Sequence, residues 1–107
     1  NYKLSYIYKY MDKLNIPCVT ILITTYNSEL YIDKAIESII NQSYTNWEII
    51  IIDDASADNS LKEVRKLEDT RIRIIEHEKN LGLSATRNTG ILNAKNDYIA
   101  FLDGHIA

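Results

Sequence analysis

WEIIIIDD, residues Trp47 to Asp54, sets four consecutive isoleucines in front of two carboxylates. A strand with one wet face alternates apolar and polar residues. An unbroken β-branched run is instead the pattern of a strand buried on both faces, as in a parallel sheet covered by helices. Upstream, Cys18 to Thr25 (CVTILITT) is a second run of this kind. Between the two, Tyr31 to Gln42 carries Ile32, Ala35, Ile36, Ile39 and Ile40 at helical spacing, with Asn27 or Ser28 available as its cap. Downstream, Leu61, Val64 and Leu67 mark a second helix capped by Asp58, and Arg71 to Glu76 reads as a third strand. Ala85 to Asn93 is a third helix, weakened by Gly90, and Tyr98 to Leu102 is a fourth strand ending at Asp103. The order β-α-β-α-β-α-β with short loops predicts an α/β fold with a doubly wound, mostly parallel sheet. Right-handed crossovers give it the strand order 3-2-1-4.

Ahead of this pattern, Leu4, Ile7, Met11 and Leu14 fall on one helical stripe. Residues 1–17 are therefore expected to form a leading N-terminal helix, closed by Pro17, and residues 18–107 the α/β part. The chain starts at Asn1 rather than Met, so it reads as trimmed. Its 107 residues suffice for one domain but are few for a complete two-substrate enzyme. With 46% hydrophobic and 25% charged residues, the balance is that of a globular protein. The net charge of −3 is spread without a basic stripe, which argues against a nucleic-acid partner. The longest apolar run, Ile49 to Ile52, is far below the roughly 20 residues that span a bilayer, so no transmembrane segment is expected in this chain. A lone cysteine, Cys18, cannot form an intramolecular disulfide and reads as a small core residue, which fits a reducing, cytoplasmic compartment.

In open α/β sheets a ligand sits beyond the carboxyl ends of the strands, where the winding reverses, here between strands one and four. Thr24, Thr25, Tyr26 and Asn27 follow strand one, Asp53 and Asp54 follow strand two, and Asp103 to His105 follow strand four. Each cluster has a plainer reading as well. The TTYNS segment also suits a capped strand-to-helix turn, and its lack of glycine excludes a dinucleotide fingerprint or a P-loop at that place. One aspartate after a strand is commonly a loop cap. Two in succession offer an acceptor for a nucleobase imide or a ribose hydroxyl. Arg87, within Asn80 to Gly90 (NLGLSATRNTG), suits either a surface helix or a bidentate diphosphate contact. Asp103 and His105 flank a glycine, so both can reach one ion, and a carboxylate with an imidazole suits Mn²⁺ or a related divalent metal.

The stretches VTILITTYN, WEIIIIDDAS, NLGLSATRNTG and NDYIAFLDGH, in this order and spacing, resemble family 2 glycosyltransferases of the GT-A fold from Val19 to about His105. The resemblance implies a Rossmann-like nucleotide-sugar-binding half. Thr24, Tyr26, Asn27, Asp53 and Asp54 would lie at the nucleoside, with Asp54 reading the base, and Arg87 near the diphosphate. Asp103 would begin the DxD metal element, with His105 in place of its second aspartate, a variant also known in polypeptide GalNAc transferases. The implied cofactor is a divalent metal, Mn²⁺ or Mg²⁺. The implied reaction is sugar transfer from a nucleoside diphosphate sugar, UDP-linked by preference, to an acceptor saccharide or lipid-linked saccharide in polysaccharide or glycoconjugate synthesis. The resemblance also allows a peripheral station at the inner membrane face for the full-length protein.

The catalytic base has no candidate before Ala107, so the chain by itself is expected to be inactive, with an unpaired fourth strand that invites self-association. Three other readings compete. A sugar nucleotidyltransferase would carry a glycine-rich basic loop after strand one, where TTYNSE stands. A receiver domain would place its acidic cluster after strand one rather than strand two. A non-catalytic nucleotide-binding module differs only in lacking turnover.

Overall fold

The computed structural model describes residues 18–30 and 32–104. The expected leading helix and His105 lie outside the described residues. Seven elements alternate: β1 (Val19–Thr25), α1 (Ile32–Ile40), β2 (Trp47–Asp53), α2 (Ser60–Arg65), β3 (Ile72–Glu76), α3 (Leu83–Asn93) and β4 (Ile99–Gly104). The four strands form one sheet in the order β3-β2-β1-β4, and every neighbouring pair is parallel. Most boundaries move by one or two residues: α1 ends at Ile40 rather than Gln42, and α2 at Arg65 ahead of Leu67. α3 starts two residues before Ala85, at Leu83, and β4 runs through Asp103 and Gly104 because these two residues still pair with Thr24 and Thr25 of β1.

The isoleucine run is buried as its pattern requires, with Ile49, Ile50, Ile51 and Ile52 all at 0% exposure. Period-2 alternation divides the four between two layers. Ile49 and Ile51 join Ile21 and Ile23 beneath α1 and α2, where Ile32, Ile36 and Ile39 (one stripe at i, i+4, i+7) meet Leu61 and Val64. Ile50 and Ile52 join Leu22 on the other face, with Ile75, Ala94 and Ile99 around them. Burying an isoleucine side chain stabilises by about 1.5–3 kcal/mol, so these four strand residues carry much of the core.

α3 covers the second face in a different way. It buries Thr86 and Gly90 and leaves Leu92 at 85% exposure. Gly90 therefore does more than weaken the helix. A Cβ on it would stand 2.9 Å from Cδ1 of both Ile52 and Leu22, so its bare Cα lets the helix lie close on the sheet.

At the amino ends of the strands, Glu48 ties this face together. Thr20 Oγ1 donates to its Oε2 (2.7 Å), as do Asn96 Nδ2 and the Lys95 amide (both 3.0 Å), while Arg73 Nη2 lies 3.4 Å from Oε1. Burial alone pushes the Glu48 carboxyl up. The bonds from Thr20 and Lys95 and the Arg73 charge outweigh that effect and hold it below the usual carboxylate range.

Two outcomes follow from this packing. Gly90→Val should lower stability in urea denaturation by about 2 kcal/mol, with Gly90→Ala milder because better helix propensity offsets part of the crowding. Since the folded-state pKa of Glu48 is depressed, its contribution is present above the unfolded value and is lost as pH falls through the folded one. An acid titration of stability should therefore be shallower in Glu48→Gln than in the parent from about pH 5 downward, with Glu48→Gln the less stable of the two at neutral pH.

Candidate functional site

The register sets the carboxyl ends side by side: Asp103 pairs with Thr24, and Thr25 with both Gly104 and Asp53. Asp54 follows β2, an inner strand, so the second and fourth strand ends flank the first rather than lying at opposite edges of the sheet. Thr24 is fully buried, and Tyr26 is 39% exposed at the start of the loop. Arg87 is half-buried on α3. This is the reversal point of the winding, where a parallel sheet leaves room for a ligand.

The loops after β1 and β2 are laced to each other. Asn27 N donates to Ser56 Oγ (2.9 Å), Ala57 N to Asn27 Oδ1 (2.8 Å), Ser28 N to Ser60 Oγ (2.8 Å) and Glu29 N to Asp58 Oδ2 (3.2 Å). Asn27 (φ 52°) and Ala55 (φ 61°) take the left-handed conformation that these turns require, at some cost for residues with a Cβ. The expected capping of α1 by the Asn27 side chain is therefore corrected, because its carboxamide oxygen is bonded across to Ala57. The Ser28 hydroxyl donates back to Tyr26 O (3.3 Å), and it is the Ser28 carbonyl that accepts from Ile32 N (2.9 Å). Asp58 does cap α2, accepting from the amide and hydroxyl of Ser60. Burial raises the Asp58 carboxyl, and the bonds from Ser60 and the Glu29 amide outweigh that and lower it.

The two adjacent aspartates do different work. Strand alternation points them to opposite faces of the sheet. Asp53 turns toward the α2 side and accepts the amide (3.0 Å) and hydroxyl (2.5 Å) of Ser56, so it holds the loop after β2. On that side Asp53, Ser56, Asp58, Lys62, Arg65 and Glu76 line a cleft of about 500 Å³, where Arg65 and Glu76 are already paired at 2.5 Å.

Asp54 turns toward α3 and is 0% exposed. Its Oδ1 accepts from Leu81 N (2.8 Å) and His77 Nδ1 (2.9 Å), and its Oδ2 from Gly82 N (2.9 Å). Asn80 Nδ2 reaches the Asp54 carbonyl at 3.4 Å. The expected acidic pair is thus one loop clasp and one buried anchor of the Asn80–Gly82 turn. His77 escapes a reading that takes the ends of strands one, two and four as the site. It stands at the end of β3, one residue past Glu76, and a polar residue just past a strand was the available signal.

For the metal, β4 carries the Asp103 backbone to the row of Thr24, at the carboxyl end of the sheet. Among the described residues no group of three His, Cys, Asp or Glu side chains could hold an ion. No helix among them is long and apolar enough to cross a membrane.

Comparison with known proteins gives this geometry a context. The Glycosyl transferase family 2 profile matches residues 20–107. The chain is 46% identical over 90 residues to the putative glycosyltransferase EpsH of Bacillus subtilis, covering 81% of this chain and 26% of that protein. It is 39% identical over 85 residues to WfgD of Escherichia coli, a UDP-Glc:α-D-GlcNAc-diphosphoundecaprenol β-1,3-glucosyltransferase, covering 79% of this chain and 34% of that one. Among solved structures, S. aureus TarS in complex with UDP-GlcNAc superposes with a TM-score of 0.76 at 28% identity, covering 80% of this chain and 26% of TarS. The mannosyltransferase PcManGT of Pyrobaculum calidifontis, in complex with GDP-Man and Mn²⁺, gives 0.74 at 25% identity, covering 80% of this chain and 27% of that one. The chain thus spans about a quarter to a third of the length of these relatives. With the parallel 3-2-1-4 sheet, its laced carboxyl-end loops and a family match over most of its length, the chain belongs to glycosyl transferase family 2, and its sheet has the GT-A architecture.

Proposed function

We propose that this chain forms the donor-nucleotide wall of an enzyme that moves a sugar from a UDP-sugar to a hydroxyl of a saccharide or lipid-linked saccharide. The observation that carries the proposal is the convergence of Thr24, Tyr26, the Asp54-anchored turn and the end of β4 at the reversal point of the sheet. The UDP preference draws on the relatives with UDP-linked donors, and the polysaccharide or lipid-linked acceptor on the diphosphoundecaprenol substrate of WfgD. Because PcManGT binds GDP-Man, base choice is the point to test.

In this reading the partly exposed Tyr26 offers a ring on which a base can stack, while Thr24, fully buried in β1 two residues earlier, supports the nucleoside side of the site from within the sheet. Asp54 shapes the wall through the turn it holds. For its carboxylate to accept from a uracil imide, the Leu81–Gly82 segment has to shift, since the group has no exposed surface in this arrangement. Asn27 and Asp53 serve the nucleotide by fixing the loops after β1 and β2. Arg87 supplies positive charge from α3 toward a diphosphate, where its fork suits two oxygens at once.

Asp103 and His105 are the proposed holders of a divalent metal, Mn²⁺ or Mg²⁺. The place of Asp103 beside Thr24 fits that task, and a carboxylate with an imidazole is a suitable donor pair. When bound, such an ion acts as a Lewis acid on the departing diphosphate. Activation of the acceptor hydroxyl needs a general base, and no residue described here has that role.

Calorimetric titration with UDP, GDP and ADP in the presence of Mn²⁺ tests the reading. UDP should bind at least about tenfold more tightly than the other two, and Tyr26→Ala should weaken UDP by about tenfold, as expected for loss of one stacked base. Equal affinity for all three nucleotides would remove the uridine preference. Undiminished UDP binding in Tyr26→Ala and Arg87→Ala together would move the nucleotide away from this end of the sheet.

A further inference from the structure

α3 begins without a side-chain cap. Its N-cap residue is Gly82, with φ 93°, which makes no side-chain cap hydrogen bond. The amides of Leu81 and Gly82 are held from outside, by Asp54 at 2.8 and 2.9 Å. A fully buried carboxylate needs donors on its oxygens, because burial removes the water that would otherwise supply them. A further donor is the ring of His77, whose side chain is 8% exposed. A carboxylate oxygen only accepts, so the 2.9 Å contact with Nδ1 is made by an N–H.

The other ring nitrogen, Nε2, lies 2.8 Å from Thr89 Oγ1, two turns along α3, and that hydroxyl is also 3.0 Å from the Ala85 carbonyl. The backbone of His77 is fixed in turn, its amide donating to Asp53 O at 2.8 Å. One imidazole therefore touches both the anchor of the turn that starts α3 and a side chain in the body of the same helix. Arg87 lies between those two attachment points in sequence.

From this we infer that His77 is a positioning residue for the nucleotide site, setting where the Asn80–Gly82 turn and α3 stand against the ends of β1 and β2. The inference rests on the nucleotide reading above and adds to it a residue that touches no ligand. Loss of the ring takes one donor from the buried Asp54 carboxylate and breaks the tie to Thr89, and the carboxylate then turns or admits water, releasing the Leu81 and Gly82 amides. The wall loosens while the rest of the sheet stays formed.

Three variants separate this role from general stability. His77→Leu removes both polar contacts. His77→Asn keeps an N–H donor near the position of Nδ1 and loses only the reach to Thr89. Val64→Ala destabilises the opposite layer without touching α3, so it reports what loss of stability alone does.

Two measurements are made below the melting temperature of all variants: hydrogen exchange at the Leu81 and Gly82 amides, and UDP affinity by calorimetry. In His77→Leu both amides should exchange at least about tenfold faster and UDP should bind about tenfold more weakly, with His77→Asn within about threefold of the parent in both. Val64→Ala should leave the UDP affinity unchanged. Unaltered amide exchange in His77→Leu overturns the inference, and so does an equal loss of UDP affinity in Val64→Ala. If the parent protein binds no UDP while exchange still accelerates in His77→Leu, the nucleotide reading fails and the brace on α3 stands.

Discussion

Burial of β2 on both faces is the constraint from which the rest of this structure follows. A strand whose four isoleucines all lose their water needs a helical layer on each side, and it needs parallel neighbours because the connecting helices must cross over the sheet. The two layers meet the need by different means. α1 and α2 bring an isoleucine- and leucine-rich stripe, whereas α3 brings small residues and a close approach at Gly90. The second arrangement has little apolar grip of its own, so the position of α3 depends on polar anchors at its start.

Those anchors sit where the strands end. Parallel strands all finish at one rim, and the polar residues after them are gathered there by register rather than by sequence proximity. At this rim the chain invests its side chains in one another. Asn27, Ser56, Asp58 and Ser60 lace two loops together, and Asp54 with His77 holds the turn before α3. A preorganised rim of this kind loses less entropy when a ligand arrives than a floppy one. Around these laced groups, Tyr26 is 39% exposed and Arg87 half-buried, and the backbone of β4 ends beside Thr24 and Thr25.

By itself the sequence determined the α/β class and the order of seven elements, because each depends on local signals; the handedness of crossovers then gave the parallel 3-2-1-4 sheet, and the resemblance of four ordered motifs gave the family. Four isoleucines in a row, a stripe at i, i+4 and i+7, and turn residues between them are readable without knowing any long-range contact. The rim itself was legible too, since the ends of β1, β2 and β4 follow from the element order. What only the tertiary structure decided is the work each polar residue does there. Asp53 and Asp54 look equivalent in a string of letters. A strand sends successive side chains to opposite faces, so one clasps a loop beside α2 while the other disappears beneath α3. Asn27 reads as a helix cap, yet its partner Ala57 lies 30 residues away. His77 carries no local signal of its role, because its partners Asp54 and Thr89 lie 23 and 12 residues away. Such roles are set by register and by how closely α3 lies on the sheet, and those are properties of the folded chain.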